Sequence, residues 1–170
     1  RNGWALRNLA ALATWHDPAL DMVLHSGGIA PEATLRACEL MRQAWEAGPE
    51  IAPLAIEYAR LLLEAGLYQR LRDFTASVPE DVRRNERIRL LAGRAALELG
   101  DLDAVAPLFN QEFATIREGE VSLTDLWFEY HARRVAAAEK APLDAALRKR
   151  VRAEYPPPAL IDFRMGEETK

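Results

Sequence analysis

Apolar residues in the middle of the chain recur at the three- and four-residue spacing of an amphipathic helix. A first apolar stripe runs from residue 51 to residue 62, and Gly66 follows it where a left-handed residue would end the helix. A second stripe comes next, formed by Leu67, Leu71, Phe74 and Val78. Its spacing predicts a return helix that ends near Pro79. The pattern therefore predicts two antiparallel helices joined by a glycine turn.

This plan repeats along the chain with a period of 34 residues. Three positions recur at that distance: Ala59, Gly66 and Tyr68 return as Gly93, Gly100 and Leu102. A 34-residue unit of helix, turn and helix is typical of tetratricopeptide repeats. Ala59 and Gly93 are small, which fits the close approach of two helices in such a hairpin. We therefore expect an all-α fold of tetratricopeptide-like antiparallel helical hairpins, stacked as a short right-handed solenoid with a C-terminal helical cap.

The same spacing predicts a single tetratricopeptide-like helical domain over residues 1–165. Its expected parts are a first helix over 4–15, an insertion at 16–31, repeats near 52–85 and 86–119, capping helices over 122–155 and a frayed tail at 166–170. Ser122 is the predicted N-cap of the first capping helix. Pro142 is expected in the first turn of the last helix, where a missing N–H costs nothing.

Composition and charge narrow the class of protein. The chain has 170 residues, 49% of them hydrophobic, and a net charge of −4. The negative charge argues against a nucleic-acid binder, and no apolar run approaches the roughly 20 residues that cross a bilayer. The single cysteine, Cys38, fits a reducing compartment, so we expect a cytoplasmic protein. Because the chain begins at Arg1 and not at methionine, we expect it to be a piece of a longer protein.

Two segments near the C-terminal end carry a resemblance that is more specific than the repeats. They are REGEVSLTDLWFEYHARR at 117–134 and PPPALIDFRM at 156–165. Together they resemble the C-terminal end of a group of large bacterial proteins. Those proteins combine an N-terminal β-rich domain of unassigned function, with a suggested relation to carbohydrate-active enzymes, and a tetratricopeptide array. The resemblance implies an accessory helical domain, and it transfers no catalytic residue to this chain.

Three arginines are the candidate binding residues. In the register set by the two glycine turns, Arg60 and Arg94 occupy the same position on the first helix of each repeat, and Arg87 lies earlier on the same side. First helices line the concave groove of a tetratricopeptide array, where guanidinium groups would bind an acidic segment or a terminal carboxylate. The alternative is structural, because Glu64 and Glu98 each follow an arginine by four residues and would form intrahelical ion pairs.

Trp127 and Tyr130 are the candidate interface residues. They lie in the helix LTDLWFEYHARR, where their rings would offer a stacking platform to a partner domain, including a sugar-binding one. Their spacing also fits an apolar stripe, and core packing is the favoured interpretation. Asp125 and Glu129 share a face of this helix, but Arg133 follows Glu129 by four residues, which favours a solvated charge ladder over acid–base chemistry.

Two further polar clusters have simpler explanations than a functional site. The insertion gathers His16, Asp17, Asp21 and His25. These residue types bind divalent metals, but no tight metal motif is present, so ordinary loop residues are favoured and we predict no metal site. The basic cluster at 148–152 lies at the end of a helix, where cations are favoured by the helix dipole, and a solvated face is expected.

These features predict a protein-interaction or scaffolding module. We expect it to pack on another domain of a longer parent protein or on a protein partner with an acidic segment, with oligomerisation left open. We expect no catalysis by this chain alone, no catalytic residue, no cofactor, and no nucleic-acid or membrane partner. One alternative is a separate peptide-binding module that uses Arg60, Arg87 and Arg94. Another is a helical domain that lends Trp127, Tyr130 or Glu129 to a carbohydrate-active enzyme site.

Overall fold

The computed structural model describes residues 2–15, 32–113 and 122–161, and these ranges contain helices and turns but no strand. In chain order the α-helices are α1 (Gly3–Trp15), α2 (Glu32–Ala47), α3 (Ala52–Glu64), α4 (Tyr68–Ser77), α5 (Glu80–Arg83), α6 (Glu86–Glu98), α7 (Leu102–Val105), α8 (Leu123–Glu139) and α9 (Ala145–Glu154). A 3₁₀ helix, Ala106–Asn110, follows α7 directly. The all-α class is therefore confirmed. The insertion at 16–31 and the tail at 166–170 lie outside the described residues.

The chain divides into two compact units, which we call unit 1 (Arg1–Ala95) and unit 2 (Ala96–Lys170). The division falls inside α6, so unit 1 contains α1 to α5 and most of α6. Unit 2 contains the end of α6 and the helices that follow it. The single domain over 1–165 stays a prediction.

In unit 1, helices that are neighbours in the chain also pack together: α1 on α2, α2 on α3 and α3 on α4. Most side chains of the two predicted stripes are buried, namely Leu54, Ala55, Tyr58, Ala59, Leu62, Leu71, Phe74 and Val78, whereas Ile51 is 37% exposed and Leu67 is half-buried. Ala37, Met41 and Ala44 of α2 are buried as well. Burying a leucine or phenylalanine side chain contributes about 1.5–3 kcal/mol relative to leaving it exposed. This shared apolar seam is therefore the main force that holds the helices of unit 1 together.

A close main-chain approach between the start of α1 and the C-terminal end of α2 depends on a glycine. A Cβ atom added to Gly3 would lie 2.9 Å from the carbonyl oxygen of Ala44 and 3.0 Å from the Cα atom of Gly48. Both are main-chain atoms, so neither can rotate away as a side chain would. The sequence pattern pointed to Ala59 and Gly93 for such an approach. Both are buried, but the contact at Gly3 was missed.

The first predicted glycine turn has the geometry of a Schellman motif. Gly66 has a φ of +68°, in the left-handed region. Its N–H donates to the carbonyl oxygen of Leu63 at 3.0 Å, and the N–H of Leu67 donates to that of Leu62 at 2.9 Å. These two bonds satisfy carbonyl groups that the end of α3 would otherwise leave without partners.

The second glycine turn repeats this geometry at the end of α6. Gly100 has a φ of +79°. The N–H groups of Gly100 and Asp101 donate to the carbonyl oxygens of Leu97 at 3.0 Å and Ala96 at 2.9 Å. Each of these four residues lies 34 positions after its counterpart in the first turn. The sequence repeat is therefore also a repeat of main-chain hydrogen bonding.

The return helix of the second repeat differs from the prediction. The repeated plan predicts one continuous return helix after Gly100, but α7 ends at Val105 and a 3₁₀ helix follows. Pro107 lies in this 3₁₀ helix and has no N–H to donate four residues back. The chain therefore continues in the tighter helix with three-residue hydrogen bonding.

In unit 2 the starts of α8 and α9 are fixed by side-chain caps. The hydroxyl oxygen of Ser122 accepts a hydrogen bond from the N–H of Asp125 at 3.3 Å, which confirms the predicted cap of α8. Asp144 caps α9, because its Oδ1 atom accepts from the N–H of Leu147 at 2.8 Å. Pro142 therefore lies before the cap, and its predicted place in the first helical turn is wrong. The carboxylate, which can accept the free N–H groups, decides where this helix begins.

Apolar side chains and one buried hydrogen bond close unit 2. Four buried residues of α8 and α9 form a core cluster: Phe128, Ala132, Leu147 and Val151. The hydroxyl of Thr124 donates to the carbonyl oxygen of Ile161 at 2.9 Å, and both residues are buried. This bond ties the segment after α9 back to α8.

Candidate functional site

The three candidate arginines all belong to unit 1. Arg60 lies on the exposed side of α3, and its Nη2 atom is 3.7 Å from Oε1 of Glu64. The ion pair predicted for these two residues is therefore present. Arg87 and Arg94 are seven residues apart on α6, so they share one side of that helix, and both are partly buried. Their use in a binding groove stays a prediction.

Arg133 of α8 binds the C-terminal end of α6. Its Nη1 atom donates to the carbonyl oxygen of Leu97, and its Nη2 atom donates to Oε2 of Glu98 at 2.7 Å. Carbonyl groups at this end of a helix lack intrahelical partners and carry partial negative charge, so a guanidinium group stabilises them. The sequence pattern paired Arg133 with Glu129 on its own helix. The structure brings it to Glu98 instead.

A pocket of about 180 Å³ opens beside Arg60 between α1 and α3. Ala10 and Ala11 line it from α1, Met41 lines it from α2, and Leu61 lines it from α3. The two alanines are short, so α1 does not fill the gap that faces α3. The pocket therefore has an apolar floor that is open to a long side chain.

Two ion pairs border this pocket, and they differ in geometry. Arg7 donates from Nε and Nη2 to the two carboxylate oxygens of Glu57, each at 2.6 Å. This is a bidentate, charge-assisted pair that compensates both ions. Arg60 and Glu64 are 3.7 Å apart, beyond hydrogen-bond distance. The charges of the Arg60–Glu64 pair are therefore compensated less completely than those of the Arg7–Glu57 pair. We call Arg60–Glu64 the loose pair.

Glu64 is the less hydrated member of the loose pair. Its side chain is 33% exposed, whereas that of Arg60 is 48% exposed. Burial raises the pKa of the Glu64 carboxyl group, and the positive charge of Arg60 offsets part of that rise. The carboxylate has therefore lost water without gaining a hydrogen bond from Arg60. An additional donor in the pocket would stabilise it.

Trp127 and Tyr130, the candidate interface residues, lie in an aromatic cluster of unit 2. The Nε1 atom of Trp127 donates to the carbonyl oxygen of Tyr155 at 2.9 Å. Phe109 packs edge-on against both rings, with centroid distances of 5.0 Å to Trp127 and 5.2 Å to Tyr130. Tyr130 is only 8% exposed. This is the packing that the core interpretation predicted, and it leaves little of the Tyr130 ring for stacking on a sugar.

His131 is buried in the same cluster. Its ring stacks on Tyr155 with a centroid distance of 4.6 Å and lies 4.2 Å from the ring of Trp127. Its Nε2 atom has no hydrogen-bond partner among the described residues. Burial, and to a smaller extent the charge of Arg134, lowers the pKa of this imidazole. His131 is therefore held neutral as part of the core.

Side chains of α9 pair with acidic side chains of α8. Arg148 binds Glu129 through Nε and Nη2, at 2.7 Å and 3.3 Å. Arg150 binds Glu139 at 2.5 Å. The basic cluster at 148–152 was expected to be a solvated face, but these arginines join α9 to α8. Glu129 is held by a guanidinium group, which disfavours its use as a general acid or base.

The sequence pattern missed an exposed apolar face on α1. Three large side chains on this helix are about half exposed: Trp4 at 52%, Leu9 at 51% and Leu12 at 55%. Leu9 and Leu12 also line an open groove of about 490 Å³ with Leu40 of α2. The signal was present in the sequence, because apolar residues of α1 occur on all sides of the helix. Such a helix is typical of a buried position.

The described metal-ligating and nucleophilic side chains do not form a second candidate functional site. His16, Asp17, Asp21 and His25 lie outside the described residues. Within 2–15, 32–113 and 122–161, no three His, Cys, Asp or Glu side chains gather closely enough to hold a metal ion. Cys38 is buried, and burial raises the pKa of its thiol to about 11, which keeps it protonated and unreactive.

None of the helices described above is both long enough and apolar enough to cross a membrane. Comparisons of the chain with models of protein families, with curated proteins and with solved structures found no match.

Proposed function

We propose that this chain is a tetratricopeptide-like interaction module, an accessory helical domain that packs on another domain of a longer parent protein. The observation that carries the proposal is the exposed apolar face of α1, formed by Trp4, Leu9 and Leu12. Soluble monomeric proteins rarely expose several large apolar side chains close together. Where they do, the exposed group commonly marks an interaction site. The occupant of this face is then a neighbouring helical segment of the parent chain.

The repeated turn supports the tetratricopeptide-like part of the proposal. The hydrogen bonds at Gly66 recur at Gly100 with the spacing of that repeat class. In a stack of helical hairpins, each hairpin covers the apolar face of its neighbour. The hairpin of α1 and α2 has an uncovered apolar side. Such a side is expected where a further unit of an array would stack. The resemblance of 117–134 to the end of large bacterial proteins agrees with a parent chain that contains further domains.

The test is co-expression of the tagged chain with the remainder of its parent polypeptide, followed by quantitative mass spectrometry of what co-purifies. Leu12→Glu is the test variant, since a carboxylate on this face opposes burial against an apolar partner. We expect capture of the parent polypeptide to fall about tenfold, as expected when a central apolar contact is lost. The unfolding midpoint of the chain itself should not change, because Leu12 is 55% exposed.

Leu160→Glu is the matched control. Leu160 is also a half-exposed leucine, at 49%, but it belongs to unit 2. This variant should capture the parent polypeptide as well as the unchanged chain does. Equal capture by the Leu12→Glu variant and the unchanged chain would show that the α1 face is not the interaction surface.

A further inference from the structure

The pocket between α1 and α3 has the shape and charge of a site for one long side chain. Its floor is apolar, formed by Ala10, Ala11, Met41 and Leu61. Glu64 borders it with a carboxylate that is 33% exposed and lies 3.7 Å from Arg60. A narrow apolar floor next to a carboxylate suits a side chain with an aliphatic stem and a charged end.

The two ion pairs beside the pocket differ in how well each charge is compensated. Glu57 receives two hydrogen bonds from Arg7 at 2.6 Å, so neither of these ions needs another partner. Of the two remaining ions, Arg60 is the more exposed and is stabilised by water, whereas Glu64 is the more desolvated. Glu64 is therefore the charged group of the lining that gains most from an added hydrogen-bond donor.

We infer that this pocket binds a lysine side chain of a partner polypeptide, with the stem on Met41 and Leu61 and the ammonium group on Glu64. The inference rests on the proposed interaction role, and it adds the chemistry of one contact. It also reverses the sequence-based expectation for this position. Arg60 was expected to attract an acidic segment, but it is the more hydrated ion of its pair and already lies 3.7 Å from Glu64.

Capped single amino acids are the probes that test the inference. N-acetyl-lysine methylamide is titrated into the labelled chain, and the amide signals of Ala10, Ala11 and Leu61 are followed by NMR. N-acetyl-norleucine methylamide has a similar stem without the charge, and N-acetyl-glutamate methylamide has the opposite charge. We expect saturable shifts with the lysine probe and about tenfold weaker binding of norleucine, as expected for one charge-assisted hydrogen bond.

Two pocket variants give opposite expected results. Glu64→Gln keeps the shape and removes the charge, so the lysine probe should bind only as weakly as norleucine. Arg60→Gln removes the cation that competes for Glu64, so the lysine probe should bind a few-fold more tightly. Glu46→Gln is the matched control, because Glu46 is an exposed carboxylate of α2 that pairs with Arg42 outside the pocket. It should leave lysine binding unchanged.

Three results would overturn the inference. The first is tighter binding of the glutamate probe than of the lysine probe, and the second is loss of lysine binding in Arg60→Gln. The third is the absence of saturable shifts at the pocket amides with the lysine probe. If any of these occurs while Leu12→Glu still lowers capture of the parent polypeptide about tenfold, the pocket inference fails and the proposed interaction role stands.

Discussion

The contact between α1 and α2 in unit 1 and the aromatic cluster of unit 2 are packed in different ways. In unit 1, α1 and α2 meet through main-chain contact at Gly3, and large apolar side chains such as Leu12 remain exposed. In unit 2, aromatic rings around Phe109 and ion pairs such as Glu129–Arg148 fill the space between elements. Main-chain contact fails when a single carbon is added, whereas a side-chain network fails when a ring is removed. Among the described residues, the most exposed large apolar side chains, Trp4, Leu9 and Leu12, also belong to unit 1.

Removal of the central ring should have the largest effect. Phe109 is 6% exposed and contacts the rings of Trp127 and Tyr130. Phe109→Ala should lower the free energy of unfolding of unit 2 by about 3–5 kcal/mol, because it removes the buried ring and leaves a cavity. Urea unfolding followed by tryptophan fluorescence measures this change. Leu160→Ala, at an exposed position, is the control and should cost less than about 0.5 kcal/mol. A loss at Phe109 no larger than this would contradict the aromatic account of unit 2.

Addition of a side chain at the helix contact should be the next largest effect. Gly3→Val would place carbon atoms against the main chain of Ala44 and Gly48, where nothing can rotate away. Overpacking of this kind costs about 1–3 kcal/mol. Hydrogen exchange of the α1 amides should therefore accelerate strongly. Asn8→Val introduces the same side chain at an exposed position of α1 and is the control. If the two variants exchange at the same rate, the main-chain contact does not hold α1 on α2.

Substitution of the turn glycines tests whether the two repeats are equivalent. Gly66→Ala and Gly100→Ala each place a Cβ atom in nearly open space, since a Cβ at Gly66 would lie 4.0 Å from the Tyr68 hydroxyl and one at Gly100 would meet no atom within 4 Å. Their cost is therefore conformational, about 1–2 kcal/mol for a left-handed residue with a side chain, and it should be the same at both turns. Thermal unfolding measures it. Clearly unequal costs would show that the turns share hydrogen bonds but not energetics.

At the end of α8, a left-handed residue that has a side chain, Lys140, can be replaced by glycine. It adopts a φ of +55° although it has a side chain. Lys140→Gly should therefore raise the free energy of unfolding by roughly 1 kcal/mol in the same assay. Ala141→Gly, one residue on, should give no such gain.

The smallest expected effect is a gradual change in the stability of unit 2 with pH. Burial lowers the pKa of His131, so the unfolded chain binds a proton before the folded chain does as the pH falls. The stability contributed by the neutral imidazole is complete above the ordinary histidine pKa of about 6.5, and it is lost as the pH falls toward the folded value. Urea midpoints measured across this range should fall. His131→Phe should show a shallower dependence, and equal slopes would contradict burial of a neutral His131.

Local signals in the sequence were sufficient where the structure depends on neighbouring residues. The helices of the first repeat, the turn at Gly66 and the cap at Ser122 follow from spacing, from glycine and from a side-chain acceptor. Each of these involves residues within about one helical turn of one another. The pocket could not be predicted in the same way, because it joins Ala10 of α1 to Glu64 of α3 across α2.

The errors of prediction have the same origin. Arg133 was assigned to Glu129 on its own helix, but a guanidinium group is long enough to reach the end of α6, where it binds the carbonyl oxygen of Leu97 and the carboxylate of Glu98. Pro142 was placed inside a helix whose start is fixed by Asp144. In both cases the sequence was compatible with more than one arrangement of neighbouring residues. The packed structure decided which arrangement formed.

By itself the sequence determined the helical class, the 34-residue repeat and the glycine turns, because each of these depends on periodicity or on one residue's allowed dihedral angles. Only the tertiary structure decided which side chains are covered. It buried Tyr130, for which the pattern favoured core packing but left an interface open, and it exposed Leu12 of the predicted first helix. The physical reason is that burial depends on what the rest of the chain places opposite a helix face, and spacing along one helix does not contain that information.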